Sequence, residues 1–107
     1  MKNVITAVLE HMREAVSEGE DFYDAYETAL GKFSGYSVGN EWFRIRLNMG
    51  VPEDYKYTYD YFVRPEYNRN VTKEDIVAML DRSIESSIKG IGKDQAEYLN
   101  KATGYKE

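Results

Sequence analysis

The sequence contains no cysteine and a single histidine, and both shortages restrict its chemistry. Without cysteine there is no disulfide framework and no thiolate metal ligand, so packing alone must stabilise the fold. The one histidine, His11, lies beside Glu10 and near Glu14, but no second histidine or partner motif completes a metal or acid–base site. The serines lack the local signature of a nucleophile. We therefore expect no catalytic residue, no metal and no cofactor, and hence no enzyme.

No long apolar run is present either. The stretch from Met1 to Leu9 is interrupted at once by Glu10 and Arg13, which is too soon for a signal-peptide core or a membrane span. We therefore expect a cytoplasmic protein with no membrane partner. The chain has 107 residues, 42% of them hydrophobic and 31% charged, and it has no internal repeat or linker. These values predict a single domain over residues 1–107.

Helical periodicity dominates the N-terminal third. Apolar side chains recur at helical spacing over residues 2–18 and again to about residue 33. Gly19 ends the first run, and Glu20 and Asp21 follow it where the positive end of a second helix favours carboxylates. The pattern predicts two antiparallel helices joined by a short turn.

The C-terminal third carries the sharpest local signal in the chain. Thr72 and Asp75 have the spacing of a helix N-cap and the residue that answers it three positions later. An apolar stripe follows, and Gly90 is expected to end this helix. A weaker pattern predicts a last helix over residues 93–102.

The middle of the chain alternates with a period of two residues, which is typical of strands. Residues 42–49 and residues 55–63 both alternate, a turn separates them, and Pro65 follows the second. The pattern predicts an antiparallel hairpin with an inner face of aliphatic residues and tyrosines. One register forms favourable pairs, with Leu47 opposite Tyr57, Ile45 opposite Tyr59, Arg44 opposite Asp60 and Trp42 opposite Phe62.

The predicted fold is therefore α+β, in the order helix, helix, strand, strand, helix, helix. Two strands alone are marginally stable, so we expect a third strand from Tyr36 to Val38 or a homodimer through the hairpin edge. The tyrosines are expected to pack under the helices. The alternative for them is a stacking platform for the bases of single-stranded nucleic acid.

Negative charge is concentrated at the N-terminus. The net charge is -5, and residues 1–33 carry seven acidic residues against three basic ones. This field disfavours direct binding to duplex nucleic acid. The acidic residues either form an ordinary solvated face or imitate phosphates and occupy a basic protein surface, with two tyrosines adding rigid contact area. The candidate partner-binding residues are Glu10, Glu14, Glu18, Glu20, Asp21, Tyr23, Asp24, Tyr26 and Glu27.

In size, acidity and tyrosine content the chain resembles the small inhibitors that phages and mobile elements encode, although it carries no specific family motif. This resemblance favours a protein-binding inhibitor that mimics nucleic acid. A second hypothesis places a nucleotide or single-stranded nucleic acid on the outer strand face, where basic and aromatic residues alternate. The candidate ligand-binding residues on that face are Trp42, Arg44, Arg46, Lys56 and Phe62.

Overall fold

A computed structural model describes residues 2–33 and 40–106, and in these residues the regular structure consists of six α-helices. They are α1 (Val4–Ser17), α2 (Phe22–Lys32), α3 (Asn40–Met49), α4 (Tyr59–Val63), α5 (Lys73–Lys89) and α6 (Lys93–Thr103). α1 packs against α5, α2 and α6, and α5 also packs against α3. None of the helices described is long and apolar enough to cross a membrane.

The predicted α+β fold is wrong, because no strand is present in the described part of the chain. The first predicted strand lies within α3. Its two buried apolar residues, Phe43 and Leu47, are four positions apart, whereas Ile45 and Met49 are 44% and 61% exposed. A period near four fits the burial and a period of two does not, because side chains four residues apart share one face of a helix.

The second predicted strand is a turn followed by α4. The buried residues of this segment are Tyr59, Phe62 and Val63, whose spacing of three and four is helical. Tyr57 and Tyr61 are exposed, so the tyrosines are not all covered by helices. The hairpin register and the homodimer through a hairpin edge lose their basis with the strands. The proposed third strand, at residues 36–38, lies outside the described residues.

The predicted N- and C-terminal helices are confirmed. α1 supplies the largest share of the core, and the Asn3 side chain caps its start by accepting from the Thr6 backbone N–H. At the start of α5, Thr72 Oγ1 accepts from Asp75 N at 3.1 Å and Asp75 Oδ2 accepts from Thr72 N at 3.0 Å, which completes the predicted capping box. The buried residues of α1 are Val4, Ile5, Thr6, Val8, Leu9, Met12 and Val16.

The end of α3 lies directly against α5. A Cβ atom added to Gly50 would lie 2.1 Å from Ser83 Oγ and 2.3 Å from the Met79 carbonyl oxygen, so only glycine fits. Ser83 is fully buried and donates from Oγ to the Met79 carbonyl at 2.9 Å. α3 lies antiparallel to α5, and the close approach brings Arg46 and Arg82 within hydrogen-bonding distance of backbone carbonyls at the ends of the two helices.

Two residues of the C-terminal helices form hydrogen bonds with the start of α1. Asn100 Oδ1 accepts from Val4 N at 2.9 Å, and Asn100 Nδ2 donates to the Lys2 carbonyl at 3.0 Å. The Ser87 hydroxyl lies 2.6 Å from that of Thr6. These bonds connect the start of α1 to α5 and α6.

Candidate partner-binding surface

Six carboxylates form a surface that we call the acidic strip. All six are exposed: Glu14, Asp24 and Glu27 lie on the sides of α1 and α2 opposite the apolar faces, and the other three lie in the segment that joins the two helices. The members of the acidic strip are Glu14, Glu18, Glu20, Asp21, Asp24 and Glu27.

Helical spacing makes the acidic strip continuous. Glu14 and Glu18 are four positions apart, and residues three or four apart are neighbours on a helix surface. Glu18 adjoins the turn that carries Glu20 and Asp21. From Asp21, one step of three residues along α2 leads to Asp24, and a second leads to Glu27.

Few cations of the chain neutralise the acidic strip. Within residues 2–33 and 40–106, none of its six carboxylates belongs to an ion pair. Arg13 of α1 instead pairs with Asp81 of α5 at 3.0 Å. Glu10, the remaining acidic candidate, precedes Glu14 by four positions on α1, but it pairs with Lys2 at 2.5 Å, so its charge is offset and the strip is defined without it.

Tyr23 and Tyr26, the aromatic candidates, are both half-buried. The Tyr23 hydroxyl donates to Asp60, and the Arg64 guanidinium lies 4.6 Å from the centre of the Tyr23 ring. Burial, followed by the hydrogen bond to Asp60, raises the pKa of Tyr23 well above its ordinary value of 10. Tyr26 packs on Phe43 with ring centres 5.3 Å apart, and burial raises its pKa too. Both tyrosines hold α2 in place and present only part of each ring to solvent.

A groove opens beside the acidic strip, between the turn that joins α1 to α2 and the start of α5. We call it the turn groove, and its volume is about 270 Å³. Glu20 and Asp21 belong to both the groove and the strip, and Lys73 also lines the groove. The apolar side chains that line the turn groove are Val16, Phe22, Val63, Pro65, Val71 and Ile76.

The second candidate set does not share one strand face. Trp42 is half-buried against the core and Phe62 is buried, whereas Arg44 and Lys56 are exposed. Arg46 donates from Nη1 to Ser86 Oγ at 3.1 Å and from Nη2 to the Gly90 carbonyl at 3.2 Å. The loss of the strands thus removes the arrangement on which the nucleotide-binding hypothesis depended.

Three exposed tyrosines form a cluster that the sequence analysis did not predict. Tyr57, Tyr61 and Tyr67 are 65%, 43% and 57% exposed. The Tyr61 ring centre lies 5.8 Å from that of Tyr57 and 4.6 Å from that of Tyr67. Half-buried Tyr55 connects the cluster to the core through Phe62, at 5.2 Å. The sequence signal for it is the density of tyrosine over residues 55–67, of which the alternating part, residues 55–63, predicts a strand instead.

The single histidine, His11, contacts an aromatic ring. Its ring lies edge-on to Phe33 with centres 6.3 Å apart. No group of three histidine or carboxylate side chains in the described residues could hold a metal ion. Comparisons of the chain with protein-family models, curated proteins and solved structures found no significant match. Function is therefore inferred from surface chemistry.

Proposed function

We propose that the chain is a protein-binding module whose acidic strip occupies a basic surface on a partner protein. The supporting observation is that all six carboxylates are exposed and that none of them forms an ion pair within the described residues. Arg13 of α1 pairs with Asp81 on α5 instead. Neighbouring carboxylates repel one another. A cationic partner surface would attract all of them and so offset that repulsion.

The spacing of the acidic strip favours a partner surface that binds phosphates. Each step of three or four residues advances about 5 Å along a helix, so each of the two antiparallel helices carries a short row of negative charges, and the rows meet at the turn. A basic groove for nucleic acid is built to receive such a row. The protein would then compete with nucleic acid for the partner, as an inhibitor does, without binding nucleic acid itself.

Charge reversal tests this proposal. The test variant carries Glu14→Lys, Asp24→Lys and Glu27→Lys, and the matched control carries Glu53→Lys, Asp54→Lys and Glu97→Lys at exposed positions outside the acidic strip. Each set changes the net charge from -5 to +1, because three reversals add six charges. The measurement is capture of proteins from the lysate of the native host, with competition by duplex nucleic acid.

We expect the unmodified protein to capture a basic protein, with capture falling as salt rises and as nucleic acid is added. The test variant should lose at least tenfold in affinity, or about 1.4 kcal/mol, while the control should retain most of it. Equal losses for the two variants would mean that net charge rather than the acidic strip governs binding, and the proposal would fail.

The exposed tyrosines favour a second candidate, binding of single-stranded nucleic acid. Base stacking on aromatic rings tolerates any sequence, and Lys56 and Arg69 are exposed along the same segment. Titration with an oligonucleotide distinguishes the candidates. Saturable binding that is lost in a variant with Tyr57→Ala and Tyr67→Ala would favour stacking, whereas the strip proposal predicts no oligonucleotide binding.

A further inference from the structure

We propose that the turn groove receives an arginine side chain from the basic partner. This inference rests on the proposed function, since it names the residue by which that partner would be anchored. An arginine side chain combines an apolar stem with a planar cation. The turn groove combines an apolar lining with carboxylates at its edge.

The size of the turn groove fits a side chain. Its volume of about 270 Å³ holds roughly nine water molecules and lies just below the range of pockets for drug-sized ligands. Val71 and Ile76 are only half-buried, so part of the apolar lining is in contact with solvent. Burial of an aliphatic stem against them would remove apolar surface from water on both sides.

The carboxylates of Glu20 and Asp21 each have an oxygen that can accept a hydrogen bond from a guanidinium. Asp21 Oδ2 accepts from Tyr23 N at 3.0 Å, and Glu20 Oε1 accepts weakly from Thr28 Oγ1 at 3.5 Å. Among the described residues, the second oxygen of each carboxylate has no hydrogen-bond donor. A guanidinium presents several N–H donors in a fixed plane, so it has a donor to offer to either of these oxygens.

The net field at the turn groove favours a cation. The N-termini of α2 and α5 lie beside it and contribute about half a positive charge each, and Lys73 adds one more. Against them stand Glu20 and Asp21 at the edge, Glu18 in the adjoining turn, and two carboxylates in the first turn of α5. Lys73 Nζ lies 3.4 Å from the Ser17 carbonyl at the end of α1, so its charge is held at the groove and offsets part of the negative field. The five carboxylates together outweigh these positive contributions.

The probe for this proposal is n-butylguanidinium, which carries the stem and the cation without a peptide. Methyl resonances of Val63, Val71 and Ile76 report binding by NMR. We expect saturable shifts of these resonances with n-butylguanidinium, weaker ones with n-butylammonium, and none with guanidinium, which lacks the stem. Absence of a saturable shift with n-butylguanidinium would overturn the proposal.

A pair of variants locates the cation. Glu20→Gln with Asp21→Asn removes both charges, and asparagine preserves the helix cap. Glu53→Gln with Asp54→Asn makes the same chemical changes on an exposed turn elsewhere. We expect the first pair to weaken binding about tenfold and the second to change it less than twofold. Similar effects of both pairs would overturn the proposal.

The two proposals fail separately. The charge-reversal variant alters Glu14, Asp24 and Glu27, none of which lines the turn groove. If that variant loses capture while n-butylguanidinium does not bind, the acidic strip stands and the groove proposal is wrong. If capture does not depend on the strip, the proposed function fails whatever the methyl resonances do.

Discussion

Arg46 and Arg82 each bind the C-terminal end of the other's helix. Arg46 of α3 donates to the Gly90 carbonyl beyond α5 at 3.2 Å, and Arg82 of α5 donates from Nε to the Gly50 carbonyl beyond α3 at 2.7 Å. The last carbonyls of a helix lack intrahelical donors and carry partial negative charge, so each guanidinium supplies a donor and a complementary charge. The reciprocal contacts fix α3 and α5 as an antiparallel pair.

Removal of one of these donors should destabilise the fold. We expect Arg82→Met, which keeps the apolar stem, to lower the free energy of unfolding by about 1–2 kcal/mol because the Gly50 carbonyl loses its partner. Urea unfolding measures the change. Arg69→Met at an exposed position is the control and should change stability by less than about 0.5 kcal/mol. A similar effect of both substitutions would show that the helix-end contact contributes little.

The contact between Gly50 and α5 predicts opposite effects of alanine at two glycines. We expect Gly50→Ala to cost about 3 kcal/mol or more, because a Cβ atom there collides with Ser83 Oγ and the Met79 carbonyl. Gly31→Ala, near the end of α2, meets no atom within 4 Å and should stabilise by about 0.5 kcal/mol. Thermal unfolding of both variants checks the pair, and a tolerated Gly50→Ala would contradict the packing of α3.

The hydroxyls of Thr6 and Ser87 should be energetically coupled. They lie 2.6 Å apart in the core, so loss of either leaves the other with fewer partners. We expect Thr6→Val and Ser87→Ala each to cost about 1–2 kcal/mol, and the double variant to cost about 1 kcal/mol less than their sum. Denaturant unfolding of the four proteins completes the cycle. Strict additivity would mean that the two hydroxyls do not interact.

Alkaline pH should destabilise the protein through its buried phenols. Burial raises the pKa of Tyr23, Tyr26 and Tyr59 above the ordinary value of 10. The unfolded chain therefore releases these protons first, so their stabilising effect is complete below pH 10 and is lost as pH rises from there towards the folded-state pKa values. We expect the urea midpoint to fall above pH 10, and to fall less steeply in Tyr23→Phe. An unchanged slope in that variant would contradict the shift at Tyr23.

Local signals predicted the helices of the two ends of the chain correctly. The capping residues Thr72 and Asp75 mark the start of α5 because the bonds that they make depend on positions three residues apart. α1 and α2 were predictable for a similar reason, since their apolar residues follow one period throughout.

The middle of the chain was mispredicted because two periods share residues there. Phe43 and Leu47 belong to an alternating series and also to one helical face, so sequence alone does not choose between them. The helix is favoured by a contact between residues distant in sequence, since Gly50 has no Cβ atom and Ser83 of α5 can therefore lie close to it. Likewise the carboxylates of the acidic strip were predictable from helical spacing, but the turn groove was not, because Val63 and Ile76 join it from elements far apart in sequence.

The bonds of Asn100 to Lys2 and Val4 have a consequence for folding on the ribosome. α1 is synthesised before α5, which is its principal partner, and before α6, which supplies the last donor and acceptor for its start. Contacts between such distant parts of a sequence form only after both have been made. The start of α1 therefore remains without these contacts until residue 100 has left the exit tunnel.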